Sequence, residues 1–189
     1  AELAALIGSL DGFLVTEYVK AHPDLLALNA ATPNTVRVQA LRPRGRAACI
    51  TGGFIRIGTR ASGVQETPLA GALIGRIDLA SGRVGTAFSL DNGHLVLHTR
   101  HPDNGLELGV QVPHWLLIRR SVLAMLDYLP QLCSVGFDLI VTPDGFRVIE
   151  INSLTATTGL PYFYPLLEQP ESRLFYRERF AQQPVRFSR

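Results

Sequence analysis

The clearest alternation of hydrophobic and polar positions lies at residues 136 to 152, GFDLIVTPDGFRVIEIN, on either side of Pro143-Asp144-Gly145. Two such runs separated by a Pro-Asp-Gly turn predict a β-hairpin. A three-residue turn with a bulge at Gly145 pairs Thr142 with Phe146. Counting outward, Ile140 opposes Val148, Asp138 opposes Glu150 and Gly136 opposes Asn152. Alternation then sends Leu139, Val141, Ile149 and Ile151 to a core face.

The same pattern read along the chain predicts the other elements. Residues 2 to 9 end a helix, and GFLVTEYV at 12 to 19 reads as a buried strand. Leu25, Leu26 and Leu28 give one or two helical turns before Thr32-Pro33-Asn34 breaks them. Residues 35 to 43 and 46 to 58 form a hairpin about Pro43-Arg44-Gly45. A polar loop at 59 to 68 leads to two short strands around Ala80-Ser81-Gly82-Arg83, then to a strand from His94 that enters a Pro/Asp/Asn/Gly loop. Pro113 opens the strongest helix, with Leu116, Leu117, Val122, Leu123 and Leu126 as its apolar stripe. Beyond Asn152 a loop precedes a terminal helix carrying Phe175, Tyr176 and Phe180. The fold class is α+β, a mostly antiparallel sheet with helices packed on one face. Residues 1–165 form the domain and 166–189 a helical or loose tail.

Composition narrows the class of partner. The 189 residues are 47% hydrophobic, enough for one domain with a core. A net charge of +2, from 18 basic and 16 acidic residues, argues against a nucleic-acid or membrane surface and toward small-molecule ligands. Cys49 and Cys133 show no metal or redox spacing. With no long apolar run either, a cytoplasmic setting is expected. Oligomeric state is not readable from the sequence.

The chemistry concentrates on the 136 to 152 hairpin. Directly opposed residues have Cβ atoms about 5 Å apart, and like charges there repel, so Asp138 facing Glu150 requires something to offset the repulsion. A hard divalent cation would do so, with Asn152 as a neutral oxygen ligand on the same face. Two acids on a solvated hairpin face are the plain alternative.

With these residues in place, the pattern Asp138, then Glu150-x-Asn152, resembles the metal-binding signature of the ATP-grasp superfamily. EYVKAHPDLLALNAATPNTVRV at 17 to 38, FIRIGTRASGV at 54 to 64 and RHPDNG at 100 to 105 resemble the sugar-transfer-associated ATP-grasp family, which is similar to glutamate ligases. The likeness covers residues 12 to 160 and corresponds to the C-terminal half of such an enzyme.

The resemblance implies an ATP- and Mg²⁺- (or Mn²⁺-) dependent ligase that joins a carboxylate to an amine through an acyl-phosphate, in cell-surface glycan or amino-acid-conjugate biosynthesis. It implies Asp138, Glu150 and Asn152 as metal ligands, and Glu17 and Val19 as the adenine-binding hinge. Arg37 and Arg56, each on the polar side of a strand, suit phosphate binding and charge stabilisation, since a guanidinium can hold two oxygens at once. His101, in its Pro/Asp/Gly loop, is a weaker candidate for substrate contact.

There are departures from the family pattern. Gly136 stands where many such ligases carry an arginine, Gln65-Glu66 replaces an expected Asp-Asn, and Lys20 is the only lysine. Since the family's phosphate-binding lysines generally come from an N-terminal subdomain, this chain is expected to lack part of its nucleotide clamp. The alternatives are a half-domain module with a binding or scaffolding role, and an ATP-grasp kinase.

Overall fold

Apolar residues recur at every second position along most of the strand-forming segments, and the chain answers by joining them edge to edge into one antiparallel sheet. The computed structural model describes residues 2–12, 16–153 and 164–181. Its elements are α1 (Glu2–Ser9), α2 (Pro23–Leu26), β1 (Val36–Leu41), β2 (Cys49–Ile57), a short 3₁₀ turn (Pro68–Ala70), β3 (Leu73–Ile77), β4 (Val84–Asp91), β5 (His94–His98), α3 (Trp115–Tyr128), β6 (Ser134–Thr142), β7 (Gly145–Asn152) and α4 (Pro170–Ala181). Among the described residues the sheet has seven strands in the order β5-β4-β3-β2-β1-β6-β7. The α+β reading therefore holds.

The main core lies on one face. Val36, Val38 and Ala40 of β1, Val135, Phe137, Leu139 and Val141 of β6, and Ile55 and Ile57 of β2 meet Leu25, Leu28 and helix α3. The buried residues of α3 are Trp115, Ile118, Val122 and Leu126, spaced for one helical face. The stripe expected from the sequence is thus rotated: Leu116 and Leu117 are exposed. Trp115 sets this rotation, because its indole is fixed by a 3.1 Å hydrogen bond to the Leu79 carbonyl and packs over the β3–β4 turn. Gly82 in that turn has φ of +80°, and a Cβ there would run into the Trp115 ring.

Two further expectations are corrected. The 12 to 19 strand is not formed where it is described: residues 16–20 carry no regular structure and Tyr18 is exposed, while residues 13–15 lie outside the described chain. The first hydrogen-bonded tie of this stretch to the sheet runs from the His22 N–H to the Val141 carbonyl, 2.7 Å, just before α2.

The β6–β7 turn has two residues, Pro143 and Asp144, with Thr142 opposite Gly145. A register shift between Asp138 and Leu139 makes Ile149 the extra residue of a bulge, and so restores the expected pairs Asp138–Glu150 and Gly136–Asn152. The cost falls on the apolar parity. Phe146 and Val148, rather than Ile149 and Ile151, pack against the core, and both isoleucines stay about half exposed.

The opposite face of the sheet is polar along β1 and apolar further out. There Phe54, Ile74, Phe88 and Tyr164 form a second, smaller cluster, with the Tyr164 hydroxyl donating to the carbonyls of Gly53, at 3.1 Å, and Ile77. Helix α4 is the expected tail helix; just ahead of it, Gln169 donates to the Thr51 carbonyl at 3.0 Å.

Candidate functional site

The second face carries its chemistry in rows. The pairings Asp138–Glu150, Arg37–Asp138, Arg37–Phe54 and Phe54–Arg76 place Glu150, Asp138, Arg37, Phe54 and Arg76 side by side across five strands. A neighbouring row holds Arg56, Ile74 and Phe88. Residues directly opposed on adjacent strands project to the same side, so pairing alone brings two acids and two arginines together from four strands.

Asp138 is the centre of the cluster and is 3% exposed. Arg37 grips it with both arms of its fork, Nε to Oδ1 at 2.5 Å and Nη2 to Oδ2 at 2.6 Å. Arg56 Nη1 donates to the same Oδ1 at 2.9 Å, and Asn152 Nδ2 to Oδ2 at 3.3 Å. Burial by itself raises the Asp138 carboxyl, but the Arg37 hydrogen bonds and the Arg56 and Arg37 charges outweigh it and hold the group below the usual carboxylate range. The repulsion between Asp138 and Glu150 is offset here by guanidinium groups.

Around this cluster is an open cavity of about 760 Å³. Arg37, Arg56, Asp138 and Glu150 line its charged end, and Phe54, Ile74 and Phe88 its apolar end, with Arg56 lying 5.5 Å above the Phe54 ring. The 65–69 segment forms one rim. Glu66, which sequence reasoning left without a role, fastens that rim: its carboxylate accepts from Asn34 N–H at 2.6 Å, Thr35 N–H at 2.9 Å and Thr35 Oγ1 at 2.5 Å. An acidic side chain reaching the unpaired amides at a strand start has no local sequence signature, since the partners lie some thirty positions away.

The remaining expected residues separate. Glu150 lines the cavity, is exposed, and makes no hydrogen bond or ion pair among the described residues. Glu17 is exposed, Val19 is half-buried, and neither is in the cavity lining. His101 is buried and structural: its Nε2 meets the Gly58 carbonyl at 2.9 Å and its Nδ1 accepts from Asp103 N–H at 3.2 Å. In the same region the Asn34 amide joins α2 to β1 and β2, donating to the Leu25 and Asn29 carbonyls at 2.8 Å and accepting from Gly58 N–H at 3.2 Å.

The model of the sugar-transfer associated ATP-grasp family matches residues 1–162. The chain belongs to that family. Membership carries ATP-dependent chemistry of the ligase or kinase kind, usually with a divalent metal. No curated protein sequence matches the chain. No helix among the described residues is long and apolar enough to cross a membrane.

Asp138, Glu150 and Asn152 are brought together as the sequence led us to expect. Their arrangement, however, does not fit a cation on Asp138. An ionised carboxylate offers about four lone-pair positions, and Arg37, Arg56, Arg37 again and Asn152 take up four. Among the described residues no three His, Cys, Asp or Glu side chains gather as a metal cluster.

Proposed function

We propose that the chain acts as an ATP-dependent ligase that joins a carboxylate to an amine through an acyl-phosphate, with glycan or amino-acid-conjugate precursors as the acceptor class. The observation that carries this reading is the two-ended cavity, whose apolar strip of Phe54, Ile74 and Phe88 runs into the Arg37–Asp138–Arg56 cluster. A nucleotide has the matching polarity, a flat weakly polar base at one end and a polyanion at the other.

In the proposed reaction a substrate carboxylate oxygen attacks the γ-phosphorus of ATP, the β–γ bridging P–O bond breaks, and ADP leaves. The amine nitrogen then attacks the acyl carbon, phosphate departs and the nitrogen loses a proton. Arg37 and Arg56 orient the anionic groups and neutralise charge on the transferring phosphoryl group. No side-chain nucleophile is needed. The family resemblance would instead put the base at a hinge of Glu17 and Val19; these residues do not line the cavity, so in this proposal the base sits on Phe54, Ile74 and Phe88.

The engagement of Asp138 by arginine favours a second reading, a nucleotide-binding module without turnover. Calorimetric titration with AMP-PNP, followed by phosphate release from ATP across a panel of carboxylates and amines, tests both. Binding with amine-dependent phosphate release supports the ligase, binding without release under every acceptor supports the module, and no AMP-PNP binding removes both.

A further inference from the structure

The lone-pair count at Asp138 has a consequence for how the site takes its anion. Arg37 and Asp138 form a bidentate pair whose side chains are 10% and 4% exposed, and Arg56, 22% exposed, joins the same oxygen. A divalent cation entering here would have to break a buried fork-to-carboxylate pair and then sit beside two guanidiniums, which adds positive charge where two already converge. The donors that remain point to a different ligand. Among the described residues Arg37 Nη1 and Arg56 Nε and Nη2 have no hydrogen-bond partner, and both side chains line the cavity.

We infer that Asp138 is a positioning residue that clamps Arg37 and Arg56 into a two-arginine receptor, and that this receptor takes an oxyanion, phosphoryl or carboxylate, without a divalent cation. The inference rests on the proposed nucleotide cavity and adds how its charged end works. The geometry supports it in three ways. The clamp is set by the sheet itself, since Arg37 and Asp138 are register partners on β1 and β6. Arg56 is held from a second side by the Thr35 hydroxyl at 3.3 Å, which Glu66 holds in turn. Finally, two guanidiniums converge on the one buried carboxylate, while of the other two acids in the lining Glu66 is taken up by the Asn34 and Thr35 donors and Glu150 is exposed.

Titration calorimetry on the full chain tests this with tripolyphosphate and, separately, succinate, each in EDTA and in Mg²⁺, and with Mn²⁺ alone. The expected result is saturable binding of at least one anion in EDTA, no saturable Mn²⁺ binding, and tighter anion binding in Glu150→Gln. Tripolyphosphate binding identifies the phosphoryl group as the ligand, and succinate binding the substrate carboxylate. Arg56→Lys keeps the charge but loses the fork, and should weaken the anion at least about tenfold, with an unchanged circular dichroism spectrum as the folding control. Anion binding that appears only with Mg²⁺, or Mn²⁺ binding that Glu150→Gln abolishes, overturns the inference; so does the absence of anion binding in every arm. AMP-PNP binding that requires Mg²⁺ would leave the nucleotide reading standing while the clamp falls. Tripolyphosphate binding in EDTA with no AMP-PNP binding would do the reverse.

Discussion

Arg37 and Asp138 face each other across β1 and β6, joined by two parallel hydrogen bonds of 2.5 and 2.6 Å in a position that is almost closed to solvent. Removing the carboxylate strands two guanidiniums rather than one. Asp138→Asn is expected to lower unfolding free energy by about 3 kcal/mol, the usual scale for breaking a buried pair, read as a shift of the urea midpoint.

The same carboxylate gives the protein an acid-labile component. Its folded pKa is depressed, so its stabilisation is complete above the unfolded carboxylate value, about 3.9, and is lost as pH falls through the folded value. Urea midpoints measured downward from pH 5 should fall more steeply in the wild type than in Asp138→Asn below about pH 4.

Glu150, the register partner of Asp138, behaves differently because it is exposed and makes no polar contact among the described residues. Glu150→Gln should change unfolding free energy by less than about 0.5 kcal/mol. A larger loss in urea denaturation would show a structural role that the geometry does not contain.

Glu66 ties the cavity rim to the start of β1 through three hydrogen bonds. Glu66→Ala leaves the Asn34 and Thr35 amides without these acceptors, and should cost about 1–3 kcal/mol. Faster hydrogen exchange at those two amides, with little change in the α3 core, is the expected signature.

Helix α3 offers a paired test of its orientation. Leu126 is fully buried and Leu116 is exposed, so Leu126→Ala should cost about 2–5 kcal/mol and Leu116→Ala less than about 1 kcal/mol. Equal losses in thermal melts would contradict the rotation fixed by Trp115.

Local pattern determined a large part of this protein. The strand segments β1 to β7, the helix that follows Pro113 and the polar side of β1 all follow from alternation and turn residues, because period-two and period-3.6 spacing decide which side chains share a face. Long-range pairing decided the rest. Only the docking of β1 between β2 and β6 puts Arg37 against Asp138 and Arg56 beside them, and no spacing in the sequence encodes a contact between residues 101 positions apart. The bulge at Ile149 and the rotation of α3 toward Trp115 were settled in the same way. Apolar residues are interchangeable to a sequence pattern, whereas close packing and an obligatory backbone hydrogen-bond register are not.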